Sequence, residues 1–288
     1  QLVLTGQEHF ISQEGCHKIL QELRRDVLEP YGAFAVGETV FVDTAKGKQL
    51  CDEARGELDM IFYFEHMECD QVFVKWFKTR LSPQKVMKTL TKWQTVLEWN
   101  ACYFENHDQP RFISRFADLG KYRAEASRMM AGLLMTLRGT PFVFEGQEIG
   151  MTNVRFDSIE DYNCCYTLGA YQSLLKKGKT VAEAMEFIAT RSRDNARTPY
   201  QWDDTANAGF TTGKPWLKLN PNYKEINLEK DLSSPDSIFR YYRALADLRK
   251  AHPAIIHGDL KFFLENQREE NVSYIMEEFI TAEVNSYD

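Results

Sequence analysis

Two segments of this sequence place ionisable side chains where apolar, strand-like runs end. Residues 101–104 lead directly into residues 105–111, which read Glu-Asn-His-Asp-Gln-Pro-Arg, and the shorter apolar run 33–36 leads into Gly37 and Glu38. If both runs are parallel strands of one sheet, Glu38 and Asp108 lie at the same rim. This rim is where (β/α) enzymes assemble their active sites.

Paired carboxylates at one rim suit general acid chemistry on a glycosidic bond. One carboxyl stays protonated and donates its proton, while an ionised partner stabilises an oxocarbenium-like transition state. Beside Asp108, a neutral His107 can donate a hydrogen bond to a substrate hydroxyl. Structural alternatives remain open, because a His-Asp pair before proline also forms ordinary turns and a single Glu at a strand end often caps a helix or forms an ion pair.

A third segment, residues 193–202, reads Arg-Asp-Asn-Ala-Arg-Thr-Pro-Tyr-Gln-Trp. Carbohydrate sites need planar donors for hydroxyl groups and aromatic faces for the apolar side of a sugar ring, and this loop supplies both. The alternative is a surface loop pinned by an Arg–Asp pair. Near the other corner, Arg111 and Arg115 either orient the acidic groups or form ion pairs with them, and a structural role is favoured for Glu65, His66 and Asp70.

Alternating strands and helices are predicted to position these residues. Buried strands are expected at residues 33–36, 58–64, 101–105 and 141–144, and helices at residues 16–28, 46–53, 82–99 and 122–137. Because the strands are continuously apolar and each is followed by a helix, the pattern favours a parallel α/β architecture. A long excursion follows, with a helix near 180–189, then a helix at 237–250 and strand-like runs at 255–264 and 272–276.

Composition excludes several classes of protein. The chain has 288 residues, 43% of them hydrophobic, which is enough for a sizeable core. A net charge of −7 with scattered basic residues argues against nucleic acid as a partner. No apolar run in the sequence approaches the ~18 residues that span a bilayer, so no membrane partner is expected. The six cysteines are dispersed without metal-ligand spacing, which predicts free thiols in a reducing compartment. A cytoplasmic location, no metal and no cofactor are expected.

Four ordered segments carry a family resemblance. Residues 35–39 (Ala-Val-Gly-Glu-Thr), 105–111, 139–151 and 193–202 look like successive landmarks of the α-amylase family of glycoside hydrolases. Pro215-Trp216-Leu217, the following Asn-Pro-Asn-Tyr at 220–223 and the helix from Ser237 resemble its oligo-1,6-glucosidase and α-glucosidase branch. The resemblance covers nearly the whole chain and fades after about Leu264.

The resemblance implies a fold and roles for particular residues. The family fold is a (β/α)8 barrel followed by a small antiparallel β domain. Glu38 matches the general acid/base at the tip of the fifth strand, and Asp108 matches the carboxylate after the seventh strand that stabilises the transition state. His107 matches its hydroxyl-binding neighbour, and Arg197 looks like an arginine that lines the substrate pocket.

The sequence departs from the family at one catalytic position. The family's nucleophile is an aspartate at the tip of the fourth strand, whereas the first aspartate here is Asp26, inside the helix that leads to the fifth strand. The expected fold is therefore a partial (β/α)8 barrel with strands 5 to 8 in residues 1–254, an excursion at about 151–234, and the truncated start of an antiparallel β domain at 255–288.

The expected parent enzyme hydrolyses terminal α-glucosidic bonds of short oligosaccharides with retention, and this chain alone is expected to be inactive. Trehalose-phosphate hydrolysis, sucrose isomerisation and a non-catalytic amylase-like binding or scaffold role remain alternatives. The linkage, α-1,4 or α-1,6, and the oligomeric state stay open.

Overall fold

The computed structural model describes residues 6–72, 74–79 and 81–258. Its helices are α1 (Glu14–Leu23), α2 (Thr44–Leu50), α3 (Pro83–Val96), α4 (Phe112–Phe116), α5 (Arg123–Thr136), α6 (Cys165–Lys176), α7 (Val181–Ala189), α8 (Leu228–Ser233), α9 (Ile238–Ala251) and α10 (Pro253–His257). Its strands are β1 (Val36–Thr39), β2 (Met60–Tyr63), β3 (Gln71–Val72), β4 (Val74–Lys78), β5 (Ala101–Cys102) and β6 (Thr140–Pro141).

The chain divides into two units. The first contains the described residues within Gln1–Cys102, Thr136–Phe142 and His252–Asp288, and the second contains Tyr103–Met135 and Val143–Ala251. All six strands belong to the first unit, whereas the second is built mainly from helices and irregular loops.

The strands of the first unit confirm the predicted parallel pairing. β1 pairs in parallel with β2, which sets Glu38 opposite Phe62, and β5 pairs in parallel with β6. β2 also contacts β5, so the spatial order is β1-β2-β5-β6. The rings of Phe62 and Phe142 meet edge to face at 4.7 Å, which joins β2 to the end of β6 through side chains.

The core of the first unit forms where α2 and α3 cover β2. Tyr63 of β2 stacks on Trp93 of α3 with ring centroids 4.2 Å apart, and Leu50, Ile61 and Leu97 complete the buried cluster. A Cβ at Gly47 would lie 2.8 Å from the Trp93 ring, so glycine permits this close approach of α2. The predicted structural role of Glu65 is consistent with its acceptance of a hydrogen bond from the Trp93 indole at 2.9 Å.

Local sequence signals explain the helix starts that were predicted well. Ser82 caps α3 by accepting a hydrogen bond from the Lys85 amide, and proline occupies the first helical position. Thr180 and Glu183 form a reciprocal capping box at the start of α7. These contacts satisfy amide groups that have no partner within the helix.

Several predicted boundaries differ from the structure. The strand expected at 33–36 begins only at Val36, because the Ala35 amide donates to the carboxylate of Asp59 at 2.6 Å instead of to a neighbouring strand. The strands expected at 101–105 and 141–144 are short, ending at Cys102 and Pro141. Sequence reasoning also missed α6 and the antiparallel hairpin of β3 and β4.

The strand expected at 255–264 is wrong where the structure describes it. Residues up to His257 form α10, with Pro253 at its first position, because the fixed φ of proline suits a helix start. The strand-like run expected at 272–276 lies outside the described residues. None of the helices in the described part of the chain has the length and apolar character that crossing a membrane requires.

An exposed apolar stripe runs along α1 and the wider helical turn Arg24–Leu28 that continues it. Ile19, Leu23 and Val27 recur every four residues and are 66%, 42% and 47% exposed. Contiguous exposed apolar surface favours association. We expect the purified chain to self-associate in size-exclusion chromatography and to bind a hydrophobic dye, and the double substitution I19K/V27K to reduce both. The substitution K18E, on the polar side of α1, is the control, and a dye-negative monomer of the unsubstituted chain would contradict the expectation.

Candidate active site

The corner that follows β5 is anchored by a buried ion pair. Arg111 donates to the Glu105 carboxylate at 3.0 Å, and their side chains are 1% and 2% exposed. The other carboxylate oxygen of Glu105 accepts the Phe112 amide at 2.8 Å and so caps the start of α4. Arg111 also donates to the Glu145 carbonyl at 2.7 Å. Of the two roles considered for Arg111, ion pairing is therefore the one observed.

Burial dominates the electrostatics of this pair. Loss of solvent raises the pKa of Glu105, and the nearby Arg111 guanidinium opposes that rise. Gly146 makes room for the pair: its φ is +88°, and a Cβ there would lie 2.4 Å from the sulfur of Met151 and 3.0 Å from Arg111. The corner is thus fixed by groups that water does not reach.

Asp108 lies on the outer side of the same corner and is approached by two arginines. Arg197 donates to Oδ1 of Asp108 at 2.6 Å and to the His107 carbonyl at 2.8 Å. The guanidinium of Arg193 lies 3.4 Å from the same Oδ1. Both arginines contact Oδ1, and neither of these contacts involves Oδ2. The side chain of Asp108 is 21% exposed, and the imidazole of His107 is exposed with Nε2 3.7 Å from Oδ1.

The loop that carries the two arginines is held by buried polar groups. Asp194 accepts hydrogen bonds from the amides of Asn163 and Cys164 at 2.8 and 2.9 Å. Asn195 accepts from the Val154 amide at 3.0 Å and donates to the Ala189 carbonyl at 2.8 Å. Because its centre is buried in this way, the loop is more than a surface loop pinned by one ion pair.

Aromatic side chains flank both arginines. The Arg193 guanidinium lies over the ring of Tyr166 at 4.4 Å. The indole N–H of Trp216 donates to the Arg197 carbonyl at 2.8 Å. Sequence reasoning missed Tyr166 because it did not predict α6, whereas Trp216 was visible as a family landmark and was given no role.

The acidic and amide groups after β6 have structural partners. Gln147 is buried and donates to the Tyr242 hydroxyl at 2.9 Å. Glu148 accepts from the Tyr200 hydroxyl at 2.6 Å and from the Gly146 amide at 2.8 Å. Burial raises the pKa of the Tyr200 hydroxyl, and the Glu148 carboxylate that accepts its hydrogen bond raises it further. Glu145 is exposed, and its carbonyl serves Arg111.

Glu38 lies in the first unit, near the carboxyl end of β1, and its side chain is exposed. A cleft of about 890 Å³ in the same unit is lined by residues that precede β2 and β5, including Leu58, Asp59 and Trp99. This cleft is therefore at the amino edge of the strands, away from the carboxyl edge to which Glu38 belongs.

The structure brings together three of the four expected site residues, Asp108, His107 and Arg197, and it adds Arg193. The position of Glu38 relative to Asp108 stays a prediction. Among the described residues, no cluster of three or more His, Cys, Asp or Glu side chains is arranged to hold a metal ion.

Comparison with known proteins identifies the family. The α-amylase catalytic domain matches residues 3–258. The oligo-1,6-glucosidase of Parageobacillus thermoglucosidasius is 47% identical over 267 residues, which is 91% of this chain and 48% of that protein. The chain spans about half the length of the curated relatives it matches.

Solved structures agree with the sequence comparison. The trehalose-6-phosphate hydrolase of Bacillus licheniformis has a TM-score of 0.87 at 39% identity, covering 93% of this chain and 49% of that one. The trehalulose synthase of Pseudomonas mesoacidophila has a TM-score of 0.84 at 36% identity, covering 89% and 47%. The α-amylase catalytic domain matches residues 3–258, a span that contains β1, β2, β5, β6 and the corner around Asp108. This chain therefore belongs to the α-amylase family.

Proposed function

We propose that this chain contributes the acid/base part of a retaining α-glucosidase that hydrolyses terminal α-glucosidic bonds of short oligosaccharides. The observation that carries the proposal is the partly exposed Asp108, held through one oxygen by Arg193 and Arg197 beside the exposed His107. A carboxylate held in this way has a fixed orientation, as stabilisation of a positively charged transition state requires. The oligo-1,6-glucosidase relatives support the substrate class.

In this proposal Glu38 is the general acid/base. It donates a proton to the glycosidic oxygen as that bond breaks, and it later removes a proton from the water that hydrolyses the glucosyl-enzyme intermediate. Asp108 binds sugar hydroxyls and stabilises the oxocarbenium-like transition state, and His107 donates a hydrogen bond to a hydroxyl. Arg197 orients Asp108 and lines the pocket.

We also propose that the four parallel strands are part of a (β/α)8 barrel. β1, β2, β5 and β6 would be strands 5 to 8 of a (β/α)8 barrel within residues 1–254, with the excursion at about 151–234. Their parallel order supports this assignment, since sequential barrel strands are neighbours.

The cytoplasmic location of the protein also stays a prediction.

Asp26 is not proposed as the nucleophile. It lies in the helical turn Arg24–Leu28, which precedes β1, and its exposed carboxylate pairs with the adjacent Arg25 at 2.6 Å. A nucleophile must lie about 5 to 5.5 Å from the acid/base, across the scissile bond. Asp26 precedes the amino end of β1, whereas Glu38 is near its carboxyl end. The two carboxylates therefore belong to opposite ends of this strand.

The proposal predicts activity only when the missing carboxylate is supplied. We expect the 288-residue polypeptide alone to show no turnover of a chromogenic α-glucoside. We define the hybrid enzyme as the Parageobacillus oligo-1,6-glucosidase with its matching segment replaced by this chain. The hybrid enzyme should hydrolyse the glucoside and release α-glucose first, as polarimetry or NMR would show. Turnover by the isolated chain, or an inactive but folded hybrid enzyme, would contradict the proposal.

Trehalose 6-phosphate is the second candidate substrate, because a hydrolase of that compound is among the similar solved structures. The hybrid enzyme can be assayed with isomaltose, maltose and trehalose 6-phosphate at equal concentrations. A higher ratio of kcat/KM for trehalose 6-phosphate to that for isomaltose than the unaltered Parageobacillus enzyme shows would favour trehalose 6-phosphate. A folded hybrid that binds sugars without cleaving any of them would favour the non-catalytic binding role instead.

A further inference from the structure

Trp216 is both exposed and fixed, which is an unusual combination for a large aromatic side chain. It is 60% exposed. Its indole N–H nevertheless donates to the Arg197 carbonyl at 2.8 Å, and the Phe210 ring meets it edge to face at 5.1 Å and 82°. An exposed tryptophan with a defined orientation presents a flat apolar surface at low entropic cost.

The loop before Trp216 has a backbone that is held in place. Asn207 and Ala208 both have a backbone φ of +55°, which residues other than glycine rarely adopt. The side-chain Nδ2 of Asn207 donates to the backbone carbonyls of Thr211 and Gly213, both at 3.0 Å. Strained backbone persists only where its surroundings determine it, and it clusters at ligand sites.

A single residue links Trp216 to the Asp108 corner. Arg197 accepts the indole hydrogen bond through its carbonyl and donates to Asp108 through its guanidinium at 2.6 Å. The backbone of Arg197 therefore contacts the aromatic side chain, and its side chain reaches the carboxylate. If a second sugar ring extends past Arg197 from the ring bound by Asp108 and His107, it meets the exposed face of Trp216.

We propose that Trp216 is the stacking surface for the sugar unit next to the terminal glucosyl residue, on the leaving-group side of the bond. This inference rests on the proposed function. A pyranose has an apolar face of C–H groups, which an aromatic ring desolvates, while its hydroxyl groups stay at the rim in water. Trp216 would thereby favour disaccharides and longer substrates over simple alkyl glucosides.

Calorimetric titration of the 288-residue chain with methyl α-glucoside and isomaltose tests this inference without requiring turnover. The substitution W216A should weaken isomaltose binding about tenfold and leave methyl α-glucoside binding unchanged, because only the second sugar loses its apolar contact. W216F keeps an aromatic face and should retain most of the isomaltose affinity. D108N should weaken binding of both sugars.

The control is Y122A, which removes another exposed aromatic side chain of the second unit, at the start of α5, and should change neither affinity. Equal effects of W216A on both sugars, or none on isomaltose, would overturn the role of Trp216 and leave the proposed function standing. An unsubstituted chain that binds neither sugar would also overturn it. The hybrid enzyme then decides the proposed function independently, because its turnover does not depend on this preference.

Discussion

Replacing Glu38 by glutamine in the hybrid enzyme is expected to lower kcat/KM for isomaltose by about 10²- to 10⁴-fold. General acid catalysis contributes about this much, and glutamine fills the same volume without a transferable proton. The loss should be much smaller for an aryl glucoside whose phenolate departs without protonation. Initial rates with the two substrates measure this difference.

Added azide should restore turnover of the E38Q hybrid enzyme on the aryl glucoside. Azide attacks the glucosyl-enzyme without needing a base, so it replaces the water that Glu38 would activate, and the product is α-glucosyl azide. The control is D26N, which alters an exposed carboxylate that pairs only locally and should leave both rates unchanged. If E38Q lowered the rates for both substrates equally and azide restored neither, Glu38 would have a structural role only.

Removal of Arg111 is expected to destabilise the chain by about 3 to 5 kcal/mol. The substitution R111M leaves the buried carboxylate of Glu105 without its cation, and loss of one partner of a buried pair costs about this much. Urea unfolding followed by circular dichroism measures the change. R25M is the matched control, because it removes an arginine from an exposed ion pair and should have no measurable effect.

The stability of R111M should also depend on pH in a defined direction. Burial already raises the pKa of Glu105 above its ordinary value of 4.5, and loss of Arg111 removes the main opposing influence. A raised pKa in the folded state means that the folded chain binds its proton more tightly. R111M should therefore be most stable below about pH 4.5 and should lose stability as the pH rises through the raised pKa. The double variant E105Q/R111M should lose this dependence, and a single variant without it would contradict the assignment.

Local chemistry in the sequence was enough to predict several elements of the fold. The Ser82-Pro83 pair specified the start of α3, and Thr180 with Glu183 specified the start of α7. Runs of apolar residues indicated parallel strands, which the pairing of β1 with β2 and of β5 with β6 confirms. These predictions succeeded because a cap or an apolar run involves residues a few positions apart. The predicted burial holds for β2 and β5 but is wrong for the run 33–36, where Phe34 is 67% exposed.

Predictions that depended on distant partners were less accurate. The strand expected from residue 33 begins later because Asp59, 24 positions away, takes the Ala35 amide. Strand-like residues around Ile255 form α10 instead. Propensity in such short segments is weak, so proline geometry and tertiary contacts decide the outcome.

The order of the candidate site residues and their chemical types were determined by the sequence alone, and the family landmarks predicted site roles for Glu38, His107, Asp108 and Arg197. Only the tertiary structure decided which charges pair. Arg111, six positions from Glu105, is buried with it, whereas Arg197, 89 positions from Asp108, supplies that carboxylate's hydrogen bond. Sequence spacing does not encode this choice, because it depends on which arginine side chain the fold buries and which it leaves partly exposed.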